Sequence, residues 1–65
     1  MTTTTILIEK SRIQILEKAC NELNIEYKGT EPYESSKLAK AVISYTYDSM
    51  LFQLGQMVQL LAQMA

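Results

Sequence analysis

Residues 42–47 read Val42-Ile43-Ser44-Tyr45-Thr46-Tyr47, followed by Asp48-Ser49, and two architectures turn on them. The run is β-branched and aromatic, which favours a strand, and Asp48 or Ser49 offers a cap for a fresh helix. Yet nothing between Pro32 and Ala65 breaks a helix outright, since Gly55 is the only glycine there and no further proline occurs. Pro32 itself suits a helix's first turn, where a missing N–H costs nothing. The primary expectation is therefore a long helix over 32–64. The alternative is a strand or kink at 41–47, with a break near 44–48.

Read as a helix, the stretch carries a heptad-like seam through Ile43, Tyr47, Met50, Leu54, Met57, Leu61 and Met64, widened by Leu51 and Val58. A second stripe, Leu38, Val42, Tyr45 and Phe52, lies on nearly the opposite side. One face covers the rest of the chain and the other needs a partner. Length points the same way. Such a helix spans on the order of 50 Å, whereas a globule of this size has a radius of gyration of ~11 Å. After Asp48 no residue is charged, and Gln53, Gln56, Gln59 and Gln63 are the only substantial polar side chains. A helix facing water normally carries Lys, Glu or Arg on its outer side. These neutral glutamines suit a helix-bundle interface between chains. They are too costly for a bilayer span, and an interfacial membrane helix would want a cationic face.

Upstream, Thr2 to Ile8 reads as a strand, with Ile6 and Ile8 on one face and Leu7 on the other. Helix 11–24 follows, with Ser11 and Gln14 in capping-box spacing. Ile13, Leu16, Cys20 and Leu23 form its apolar stripe. Asn24 is placed to end it in a left-handed cap, with Ile25 folding back onto the stripe. A second strand, 25–28, closes at Gly29. Direct pairing of the two strands would be parallel with a right-handed crossover, and a two-stranded sheet needs something to cover or extend it. The fold class is thus α+β: a single domain over 1–65, in which a strand–helix–strand unit precedes a long C-terminal helix that forms an intermolecular bundle.

Composition narrows function mostly by exclusion. A 65-residue chain buries only about 60% of its unfolded surface, so its core alone is marginal. One cysteine and no histidine rule out an internal disulfide, a thiolate–imidazole zinc site and the usual catalytic dyads. No acidic loop suggests calcium, no glycine-rich phosphate loop occurs, and no cofactor is expected. A net charge of −1 lacks the basic patch of a nucleic-acid or anionic-membrane binder. Cys20 reads as a buried small hydrophobe. A single cysteine and no basic, apolar leader at the N-terminus fit a reducing, cytoplasmic setting.

The leading functional expectation is a non-catalytic protein that self-associates as a dimer or higher oligomer and occupies a partner protein's surface. Small regulators, subunits of larger assemblies and viral accessory inhibitors all work in this way. The alternative is an oligomeric binder of an anionic small molecule or nucleotide. Its site would be Tyr27, Lys28, Gly29 and Thr30 with Tyr33, Lys37 and Lys40, where a strand end, a glycine turn and a helix N-terminus would meet.

Overall fold

The computed structural model describes residues 1–64; Ala65, at the end of the expected domain, lies outside them. The chain runs β1 (Thr2–Glu9), a 3-10 turn (Lys10–Arg12), α1 (Ile13–Glu22), β2 (Glu26–Glu31), β3 (Leu38–Tyr45) and α2 (Ser49–Met64). The three strands form one sheet in the order β1-β3-β2. β3 is antiparallel to both neighbours, so the α+β class holds while the internal arrangement differs from the expected one.

The continuous helix over 32–64 does not form. Residues 38–45 are the central strand, and the helix starts at Ser49. Ladder pairing explains the outcome. β1 and β2 leave a gap one strand wide, and β3 fills it, pairing with β1 without a break from Thr2↔Tyr45 to Glu9↔Leu38. Each backbone donor and acceptor in that gap needs a partner, and this long-range demand overrides the helical propensity of Lys37-Leu38-Ala39-Lys40-Ala41. The direct parallel pair is likewise absent, because β3 separates β1 from β2. Chain reversal over 46–48 leads into α2, with Met50 N–H donating to the Tyr47 carbonyl at 2.9 Å.

A period of two organises β3. Ala39, Ala41, Ile43 and Tyr45 are buried on the face that carries the helices. On the other, Leu38, Lys40 and Val42 are half-buried and Ser44 is buried, its hydroxyl bonded to that of Thr3 at 2.8 Å. Leu16, Ala19 and Cys20 of α1, Ile25, and Leu54 of α2 complete the core, with Ile6, Ile8 and Leu23 packed against it. Ile13, the remaining member of the expected α1 stripe, is half-buried. Both helices lie on one side, so the molecule has two layers, with Cα extents of 31 × 28 × 15 Å and a radius of gyration of 11.2 Å. Among the described residues no helix or strand covers the opposite sheet face.

The two ends of α1 fare differently. The expected capping box is absent: Ser11 sits inside the 3-10 turn, and neither Glu9 nor Arg12, the N-cap positions, makes a side-chain cap bond. The C-terminus follows the reading from sequence. Asn24 adopts φ 57, its N–H donates to the Asn21 carbonyl at 3.4 Å, and Ile25 N–H donates to the Cys20 carbonyl at 2.9 Å. This is a Schellman arrangement, and it turns Ile25 back into the core. Ile25 therefore belongs to the cap. β2 begins at Glu26 and runs past Gly29, whose φ of 143 accompanies a bulge between Tyr27 and Gly29 instead of ending the strand.

Candidate interaction surface

α2 docks on its own chain through Leu54, its one buried residue, with Met50, Leu51, Met57, Val58 and Leu61 half-buried around it. Much of the seam expected between chains is thus spent within the chain. Ile43 leaves the seam altogether: it is fully buried on β3, because a strand at 38–45 removes it from the helix. Tyr47 sits in the turn before α2, 68% exposed, and Met64 is 74% exposed at the helix end. The expected second stripe is dispersed as well. Tyr45 is core, Leu38 and Val42 lie on the open sheet face, and Phe52 stands out from α2.

Besides Met1, Tyr33 and Tyr47, the large apolar side chains left exposed are Phe52, Leu60 and Met64 on α2 and Leu7 on β1. Phe52 and Leu60 are each more than half exposed on a helix with no charged residue to hold water around them. A largely apolar cleft of about 350 Å³ lies between β1 and α2, lined by Ile6, Leu7, Ile8, Leu51 and Val58, with Gly55 and Gln59 at α2's side of it and Arg12 as its one charged lining residue. The lack of charge after Asp48 signalled such a surface in the sequence. Of the side chains that form it, Met64, Leu51 and Val58 belong to the expected seam and Phe52 to the second stripe, whereas Leu60 and Leu7 belong to neither.

The residues of the anion-site reading divide into separate pairs. The Tyr27 hydroxyl meets the Thr30 hydroxyl in a short hydrogen bond. Lys40 Nζ stands 5.6 Å from the Tyr33 ring centroid, and Lys40 pairs in register with Glu31 on β2. Lys28 is exposed at the bulge. Lys37 lies elsewhere, in a depression with Glu9, Lys10 and Ser35. Pro32 opens an irregular connection, not a helix, so no ring of N-terminal N–H donors stands beside Gly29. Tyr33 is exposed, and the depression it shares with Lys40 is shallow and also bordered by Glu34.

Cys20 is buried at 1% exposure. Burial, aided by the nearby Glu17 carboxylate, pushes its thiol pKa up, the opposite of what a nucleophile needs. Among the described residues no group of three or more His, Cys, Asp or Glu is placed to hold a metal ion. No described helix is long and apolar enough to cross a membrane. Comparisons with protein-family models, with curated proteins and with solved structures found no match to this chain.

Proposed function

We propose that this chain is a small non-catalytic interaction protein that self-associates and acts by occupying a partner protein's surface, as regulators, inhibitors and viral accessory proteins do. One observation carries the reading: α2 exposes Phe52, Leu60 and Met64 on a helix without a charged side chain. Burying apolar surface is worth roughly 25 cal/mol per Å², and nothing in the single chain collects it from these side chains. The inert, buried Cys20 suits a reducing compartment such as the cytoplasm.

Native mass spectrometry of the full chain tests this directly, because it reports stoichiometry and retained ligand together. The expected spectrum is a dimer or higher oligomer carrying no small molecule. A 7.4 kDa monomer contradicts self-association. An oligomer that retains an anionic metabolite or nucleotide favours the binder built around Tyr33 and Lys40.

A further inference from the structure

The two edges of the sheet are built differently. β2 carries Glu26, Lys28 and Glu31 and is interrupted by a bulge beside Gly29. Charges and bulges are how sheets keep their edges from pairing with other chains. β1 has neither. It runs eight residues in unbroken register with β3, and its side chains are uncharged until Glu9. Among the described residues no strand occupies its other side. At roughly 3.4 Å per residue, its free edge offers a ladder of about 27 Å.

We infer that β1 pairs antiparallel with β1 of a second copy, joining two sheets of three strands into one sheet of six. This rests on the self-association proposed above and names the surface that performs it. A two-fold axis normal to the sheet keeps each side chain on its own face, so Thr3, Thr5 and Leu7 meet their counterparts on the open face. Thr4, Ile6 and Ile8 do the same on the helical face. No like charges meet along the ladder, and the antiparallel sense puts the two Glu9 side chains at opposite ends. The cleft between β1 and α2 borders this strand at Ile6, Leu7 and Ile8, with Arg12 as its one charged lining residue. The strand that pairs with β1 therefore arrives beside uncharged α2, with Gly55 leaving open space there. A charged or bulged partner strand would fit this neutral, regular edge less well than the edge fits itself.

The test is sedimentation velocity on the full chain and on the double variant Thr3→Lys/Thr5→Lys. Thr30→Lys on the exposed part of β2 serves as the control. Thr3 and Thr5 are exposed, but the Thr3 hydroxyl shares a hydrogen bond of 2.8 Å with that of buried Ser44, so Thr5→Lys alone is measured beside the double variant. Its far-UV circular dichroism should stay unchanged while the dimer dissociation constant rises at least tenfold. Thr30→Lys should leave it unchanged. Amide exchange on the unmodified protein gives a second readout: under dimer conditions, amides on both sides of β1 are protected, whereas an unpaired edge leaves alternate ones exchanging fast. An associating parent with an unaffected double variant and alternate fast amides overturns strand pairing and leaves self-association standing. A parent that stays monomeric overturns both. Equal weakening by Thr30→Lys places the contact on the wrong edge and overturns the inference, as does protection of β1 only when an extended peptide is added.

Discussion

α1 and α2 lie on the same face of the same sheet, but only α1 is finished by the fold. α1 turns Leu16, Ala19 and Cys20 inward and shows Glu17, Lys18, Asn21 and Glu22 to water. α2 is longer and buries a single residue completely, and what it shows to water is Phe52, Leu60, Met64 and neutral glutamines. One amphipathic stripe is enough for a helix whose partner is its own sheet. A helix that is apolar on more than one side presents more apolar surface than its own small sheet covers.

The strongest perturbation should make the two helices behave alike. Leu16→Ala and Leu54→Ala each empty a core position, at a cost of about 2–5 kcal/mol. That is a large part of the total for a domain this small. Chemical denaturation at fixed protein concentration should show both variants severely destabilised. A much smaller loss for Leu54→Ala would mean that α2 does not dock through that residue.

Charge on the outer surfaces should then separate them. Phe52→Glu and Leu60→Glu are expected to keep the fold and weaken self-association at least tenfold, or ~1.4 kcal/mol, measured by sedimentation. Lys18→Glu on the outer side of α1 should change neither fold nor association. Equal responses on the two helices would erase the distinction.

The smallest effect concerns Cys20 in α1. Its thiol pKa is raised in the folded chain by burial and by Glu17, so the unfolded thiol loses its proton first as pH rises. The resulting contribution to stability is complete below the ordinary thiol range and is lost as pH climbs through it toward the higher folded value. Melting temperature should therefore fall at alkaline pH, and Cys20→Ala should reduce that fall. Thiol reagents should label the native protein slowly and the denatured protein quickly. Rapid native labelling would show that α1 is less well covered than its burial implies.

Local features were legible in the sequence to the extent that their causes are local. The β-branched start of β1, the α1 stripe through Leu16 and Cys20, and the cap at Asn24 and Ile25 depend on neighbours a few residues away. β3 does not. Its Lys37 to Ala41 half is composed like a helix, and only the open edges of β1 and β2, distant in sequence, make it a strand. The strand alternative at Val42 to Tyr47 saw the β-branched half of it. That alternative also offers Asp48 or Ser49 as the cap of a fresh helix, and α2 starts at Ser49. Misreading β3 moved Ile43 and Tyr47 into a helical seam and placed a helix N-terminus beside Gly29 that the chain does not have. The uncharged run after Asp48 was plain from composition alone, but which of its residues face outward depended on where the sheet lies.

Sedimentation velocity of the unmodified chain across the micromolar range addresses the central claim most directly, because it asks whether α2 and the β1 edge remain uncovered in solution. The weight-average mass should rise with concentration from 7.4 kDa to at least twice that value. A constant 7.4 kDa over the whole range would show that the chain tolerates its exposed Phe52, Leu60 and Met64 alone, and would contradict the account.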